Sequence, residues 1–326
     1  MDAFEYAQPA TAREAVALLA QGSEGAQVLA GGSDLLALMK DDVAAPSRLV
    51  SLRSVRDLSG IQYHPRQGLR IGAMVTIDEL GTNADVGRHY PGLVQAAEEI
   101  GSPQIRNVGT VGGNLCQRPR CWYYRSGFGL LAMRDGKSLV PNGDNRYHAI
   151  LGNSGPAYFV APSNLGGMLI GLGAKFRLLG PKGSRDLPAE KFFVIPKAEG
   201  EREHALEANE IITEVMVPPP QGRSAYYELR QKAQFDWPLA AAAVVLQMDG
   251  HTVKTARVVM GQVAPVPWPS PEAEQALAGK TVTAEVAEEA GKAAVAQATP
   301  LSRNAYKVTL ARVAVKRAVL RAAGIV

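Results

Sequence analysis

The run Pro218-Pro219-Pro220 constrains this chain more than any other stretch. Proline has no N–H to give a ladder or a helix, and its ring clashes with a preceding helical turn. Three in a row therefore end whatever element runs into them. The residues ahead of them, "EIITEVMV", are β-branched and apolar and read as a strand. That strand stops at the prolines, and the chain divides at about residue 220.

Beyond the prolines, strand patterns at about 224–231, 239–248 and 253–262 precede alanine-rich helices at about 284–296 and 303–322. Strands followed by helices point to an α+β unit. Ahead of the prolines, "TAREAVALLA" opens with the capping pair Thr11 and Glu14 and predicts a helix. "AQVLAGGSDLLALMK" reads as a short buried strand, a turn at Gly31-Gly32 and a helix from near Ser33. "RLVSL" and "GLRIGAMV" read as strands, and Thr76 with Glu79 caps a short helix ending near Gly81. "YPGLVQAAEEIGS" predicts a helix with Pro91 in its first turn and Gly101 beyond its end. From Gln104 to Asn164 the chain reads as loop-rich, the length of a functional or inserted segment. "NLGGMLIGLGAKFRLLG" returns to helix and then strand.

Several function classes drop out. The 35 basic residues are dispersed and the net charge is only +4, so there is no nucleic-acid footprint. No apolar run approaches the length of a membrane span. The opening "MDAFEYAQPATAREA" lacks the basic and apolar regions of a secretory signal, and 2 cysteines cannot staple a fold of 326 residues. The expectation is a cytoplasmic protein, or one exported beside a signal-bearing partner.

Two glycine clusters carry the chemistry. In "AGGSD" a strand turns into a helix with several N–H groups free to face an anion, and glycine lets a backbone approach where a Cβ would clash. The third glycine of a dinucleotide fingerprint and the Gly-Lys-Ser/Thr of a P-loop are absent, so a plain turn and an anion site both stay open. "GTVGGN" supplies a second such loop, with hydroxyl and amide groups at Thr110 and Asn114. Two such loops suit an elongated ligand such as a dinucleotide; two unrelated turns are the plain alternative.

Cys116 and Cys121 stand at C-x4-C spacing with no further cysteine, so four-thiolate metal ligation is impossible and buried structural thiols are the expectation. His148 can meet them only through the fold. No nucleophile elbow or cysteine with an evident histidine partner supports covalent catalysis. Arg106, Arg230 and Lys232 are cations that could meet an anionic cofactor.

The stretches "VLAGGSDLLALMK", "IGAMVTIDEL", "GSPQIRNVGTVGGNL", "APSNL" and "RQKAQFDWPLAAAAV" occur in this order over roughly residues 28–245. In this they resemble the FAD-binding subunits of the molybdenum hydroxylases, which include xanthine dehydrogenases, aldehyde oxidoreductases and carbon monoxide dehydrogenases. "QRPRCWYYR" and "YHAILGNSG" look like the inserted loop of the periplasmic aldehyde oxidoreductase type. The resemblance implies an α+β protein: a vanillyl-alcohol-oxidase-like FAD-binding domain over about 1–220, then an α+β domain over about 221–326. The first would hold two α/β sub-domains, about 1–57 and 58–220, with an inserted loop at about 116–160.

It further implies that the backbone of Val28, Leu29, Ala30, Gly31, Gly32, Ser33, Asp34 and Leu35 wraps the FAD pyrophosphate. Thr110, Gly113 and Asn114 would hold the other side, Ile100 would lie near the isoalloxazine, and Lys232 would contact the flavin. Asn164 stands where the family usually has aspartate. Relatives place a [4Fe–4S] cluster in the insert, and only Cys121 matches a ligand position, so no metal site is expected on this chain. The implied role is an electron-transfer subunit carrying FAD in an oxidoreductase heterotrimer. A molybdopterin-binding large subunit and a [2Fe–2S] small subunit are the implied partners, and no substrate-oxidising residue is expected here. A stand-alone FAD oxidase or dehydrogenase is the main alternative, and an assembly subunit without cofactor the third.

Overall fold

Thr11 and Glu14 begin the first helix as their spacing predicts. Glu14 N–H donates to Thr11 Oγ1 at 3.2 Å, and the Glu14 carboxylate accepts from the N–H groups of Ala10 and Thr11. The computed structural model describes residues 1–21, 25–233 and 235–325. The chain opens with β1 (Glu5–Ala7), α1 (Ala12–Gln21), β2 (Ala26–Leu29), α2 (Leu35–Lys40) and β3 (Arg48–Ser51). These strands form a parallel sheet in the order β1-β3-β2, with Val28 opposite Val50. Parallel neighbours require crossover connections, which α1 and α2 supply. Ala15, Val16 and Leu19 of α1 bury against Val50, Leu52 and Val55.

Next come β4 (Ile61–His64), β5 (Gly68–Gly72), α3 (Ile77–Thr82), α4 (Ala84–His89), α5 (Pro91–Glu98), α6 (Pro103–Val108), α7 (Val111–Cys116) and α8 (Trp122–Arg125). A small hairpin, β6 (Met133–Arg134) and β7 (Lys137–Ser138), precedes α9 (Asn164–Gly171), β8 (Lys175–Gly180), β9 (Gly183–Pro188) and β10 (Ile211–Val217). The second sheet is antiparallel, ordered β4-β5-β10-β8-β9. β10, last in sequence, lies at its centre because "IITEVMV" is apolar enough to be covered on both sides, and it ends one residue before Pro218.

After the prolines, β11 (Arg223–Leu229), β12 (Ala240–Asp249), β13 (Thr252–Gly261) and β14 (Trp268–Pro269) form a third, antiparallel sheet. The helices α10 (Pro271–Leu277), α11 (Ala284–Ala294) and α12 (Tyr306–Ala323) follow, giving an α+β architecture. The alanine run of β12 has a physical reason. Ala241, Ala243 and Val245 face the core shared with α5 and α9, while Ala240, Ala242 and Val244 face α11 and α12. A strand covered on both faces loses its polar alternation, and small side chains let both layers approach. All eight residues of α9 are buried between the second and third sheets.

The segment 104–164 is more ordered than its sequence suggests. It holds α6, α7, α8 and the hairpin, and Gly112 and Gly113 of "GTVGGN" lie inside α7 while Gly109 precedes it. Glycine weakens a helix by roughly 1 kcal/mol. It is needed here because a Cβ on Gly112 would stand 3.0 Å from Ala73 O. Residues 139–163 are irregular and held by polar contacts to the last helix. Lys307 Nζ donates to the carbonyls of Tyr147, His148 and Gln262, and Asn304 Nδ2 to those of His148 and Ala149. The sequence reading passed over α10, which Ser270 caps through Ala273 N–H with Pro271 at its first position.

Candidate functional site

The turn after β2 and the start of α7 meet at the floor of a cleft of about 580 Å³. How closely they meet is measured at Gly31, where a Cβ would stand 1.8 Å from the carbonyl oxygen of Val108 and 3.2 Å from Gly109 Cα. Gly32 adopts φ +76°, which turns the chain sharply into α2. Across the described residues, the N–H groups of Gly31, Gly32, Ser33, Asp34 and Leu35 find no protein acceptor, while α2 begins its bonding with Leu36 N–H to Gly32 O. Backbone donors left open on a cleft wall suit an anion.

The second loop is arranged differently. Thr110 caps α7 by accepting from Gly113 N–H at 3.0 Å, Gly112 N–H donates to Ala73 O and Val111 N–H to Val75 O. Its donors are spent on holding the loop, so it supplies close approach and the first loop supplies the donors.

The insert completes the site, which sequence reading missed. Asp34 is at the N-cap of α2 without capping it, because its carboxylate is drawn across the chain. It accepts from Arg118 N–H at 2.7 Å and from Arg125 at 2.8 Å, and Arg120 lies at 3.0 Å. Arg120 also stacks on Trp237, 4.2 Å from the ring centroid, and burial pulls its guanidinium down to about 10. Arg118 pairs with Glu203 and, with Arg202, brings positive charge to the cleft wall. The visible signal was three arginines within "RPRCWYYR", at 118, 120 and 125.

Of the residues expected to hold cofactor, Val28, Ala30, Gly31, Gly32, Ser33, Asp34, Leu35, Thr110 and Gly113 line this cleft. Leu29 closes β2 opposite Ser51 and does not line it. Asn114 is turned inward, its Oδ1 accepting from Ser163 Oγ at 2.8 Å, and so ties α7 to the start of α9. Ile100, Asn164 and Lys232 belong to a second constellation. Asn164 Nδ2 donates to Glu228 at 2.7 Å, and Glu228 holds Arg230. Arg230 reaches the carbonyl of Glu99, beside Ile100, and two residues after it Lys232 is exposed. Two cations proposed for an anionic cofactor are committed elsewhere: Arg106 to the carbonyls of Glu98 and Ile100, Arg230 to Glu99 and Glu228.

The thiols are both partly buried and free. Burial pushes Cys116, on the cleft wall, up to about 12. Cys121 Sγ lies 3.2 Å from His148 Nε2, a pairing the sequence left to the fold, and burial pulls His148 down to about 4. Cys121 packs against the apolar cluster of Leu131, Ala157 and Phe159, whose side chains supply no ligand for an iron–sulfur cluster. Among the described residues, no three His, Cys, Asp or Glu side chains converge as metal ligands.

Residues 2–220 match the family described as the FAD binding domain in molybdopterin dehydrogenase. The chain belongs to that family. Residues 224–322 match the CO dehydrogenase flavoprotein C-terminal domain. The chain is 33% identical over 320 residues to the carbon monoxide dehydrogenase medium chain of Hydrogenophaga pseudoflava, covering 97% of this chain and 95% of that one. It is 32% identical over 324 residues to the aldehyde oxidoreductase FAD-binding subunit of Escherichia coli, covering 96% of each. These two values do not separate the aldehyde oxidoreductase type from the carbon monoxide dehydrogenase type. A solved carbon monoxide dehydrogenase from Hydrogenophaga pseudoflava superposes with a TM-score of 0.77 at 32% identity, over 99% of this chain and 98% of that chain. The protein is thus an oxidoreductase component, a flavin subunit of the molybdenum hydroxylases. None of its described helices is long and apolar enough to cross a membrane.

Proposed function

We propose that this chain seats FAD in the cleft between the β2–α2 turn and α7, and passes electrons from a partner's iron–sulfur centre to an external acceptor. The observation that carries the reading is the Gly31 contact: two glycine turns in van der Waals register, with a row of open N–H donors on the cleft side. The N–H groups of Gly31 to Asp34 would hold the pyrophosphate, Arg118 and Arg202 would balance its charge, and Thr110 and Gly113 would close the other wall. Asp34 would repel phosphate if bare; its arginines neutralise it and lock the turn in place. FAD, when bound, supplies the redox chemistry of accepting electron pairs and releasing them.

The residues of this chain bind, orient and shield. His204 and Cys116 on the cleft wall are both held neutral by burial, His204 pulled down to about 3 and Cys116 pushed up to about 12. Neither is poised to exchange a proton at neutral pH, which supports a cofactor seat over the active site of a stand-alone oxidase. The proposed assembly is the heterotrimer named above, in the cytoplasm or exported with a partner. Purifying the native complex and measuring flavin, iron and molybdenum tests this. One FAD per copy of this chain is expected, with metals following the other subunits. A monodisperse single chain that turns over substrate without partners would overturn the assignment.

A further inference from the structure

Beside the cleft, where Arg120 joins Asp34 to Trp237 of the loop after β11, one buried carboxylate gathers donors from separate parts of the fold. Glu228, near the end of β11, is 8% exposed. Its Oε2 accepts from Asn164 Nδ2 of α9 at 2.7 Å and from Tyr226 O–H at 2.8 Å, and its Oε1 holds Arg230. Arg230 then donates to the Glu99 carbonyl at 2.7 Å and to its carboxylate at 2.5 Å, at the end of α5, and to Ala233 O at 3.4 Å in the following loop. That loop is completed by Asp236, which accepts from the N–H groups of Gln231 and Lys232 at 3.0 Å each.

A buried ionic cluster is a poor source of stability, since apolar side chains of similar volume do as well or better. What it does supply is a defined geometry. We propose that Glu228 is a positioning residue of the flavin site: with Asn164 as its neutral donor, it holds Arg230 against the end of α5 and so sets where Gln231 to Ala233, with Lys232 among them, stand relative to the FAD-binding domain. The proposal rests on the flavin reading above.

The pairing depends on which partner carries charge. Glu228 faces Tyr226 on its own strand, Arg230 just beyond its end, Glu99 at the C-cap of α5 and the neutral amide of Asn164 on α9. One guanidinium already serves two carboxylates, and burial pushes the Glu228 carboxyl up from its ordinary value. A carboxylate at 164 would bring a third and replace a donor by an acceptor. A proton must then be taken up, or Arg230 must shift and the loop with it.

The test uses isosteric changes, which leave packing untouched, in the full chain co-purified with its partners. Wild type, Asn164→Asp, Glu228→Gln and the double variant are compared by FAD dissociation constant, flavin midpoint potential and melting temperature across pH. Asn164→Asp should weaken FAD binding about tenfold at pH 8 and much less near pH 5, where the added acid is protonated. Adding Glu228→Gln should restore affinity and potential to near wild type. Unaltered affinity in Asn164→Asp, or a double variant no better than the single one, would overturn the proposal. Rescue seen in melting temperature with FAD affinity and potential unmoved throughout would also overturn it, reducing the pair to a domain contact. A wild-type complex without flavin would instead defeat the flavin reading on which it stands.

Discussion

Gly31→Ala adds a single methyl group at the most crowded point of the cleft. That Cβ would fall 1.8 Å from Val108 O and 2.7 Å from Val108 C, about 1.6 Å inside the 3.4 Å at which ordinary contact begins. Its neighbour is backbone, fixed by Gly109 N–H to Ile105 O and by Ile77 N–H to Gly109 O, so no flexible side chain can give way. Relief must come from parting the β2–α2 turn and the α6–α7 junction by about 1.5 Å. Such overpacking costs roughly 1–3 kcal/mol of stability. The larger effect falls on the ligand, because a shift of that size would break hydrogen bonds of ordinary length, about 2.9 Å, to a bound phosphate. Losing two N–H bonds to a charged phosphate, at roughly 1.5–3 kcal/mol each, lowers FAD affinity by about two to four orders of magnitude. Titrating the flavin-free protein with FAD and following flavin fluorescence measures this, with far-ultraviolet circular dichroism reporting that the fold persists. Gly87→Ala in α4 is the control: a Cβ there meets nothing within 4 Å, so affinity should hold while stability gains up to about 1 kcal/mol. A Gly31→Ala protein that binds FAD as tightly as wild type would refute the claim that this contact sets the cleft.

Other expectations follow from the same geometry. Arg125→Ala leaves Asp34 short of one partner at a site where both side chains are largely buried, so flavin content and melting temperature should fall together; adding Asp34→Asn should recover part of both, as differential scanning calorimetry and flavin extraction would show. Cys116, pushed up to about 12, should react with a thiol reagent at pH 8 about a thousandfold more slowly than a free cysteine, and slower again when FAD fills the cleft. Lys307→Met removes three donors from the carbonyls of Tyr147, His148 and Gln262 and should expose the irregular segment 139–163 to limited proteolysis. Burial lowers the Lys307 ammonium to about 7, below its unfolded value of 10.5, so the unfolded state binds the extra proton between those values. Its own contribution to stability should therefore rise as pH increases from 7 toward 10.5, and this slope should vanish in Lys307→Met when urea midpoints are compared across pH.

Much of the molecule was legible in the residues themselves. Thr11 with Glu14 and Thr76 with Glu79 started helices where their spacing put them, and β10 ran to the proline run and ended there. The glycines of "AGGSD" and "GTVGGN" marked the turns that meet in the cleft. All of these are local signals, in which a capping side chain, a missing N–H or an absent Cβ acts within a few residues of its own position. They were enough to give the α+β order of elements and the glycine walls of the site.

What only the tertiary structure decided are the partners of side chains whose types are ambiguous alone. Arg118 and Arg125 reach Asp34 across 84 and 91 positions, and Asn164 reaches Glu228 across 64. An arginine in a loop and an asparagine at a helix start carry no mark of the carboxylate they will meet. Burial makes these pairings matter, because an unpaired charge inside the fold is costly while the same charge on the surface is nearly free. The sequence by itself determined where the backbone turns and which positions must lack a side chain. Packing of the sheets decided which charges are buried together, and with them which arginines guard the cleft and which carboxylate holds the loop beside it.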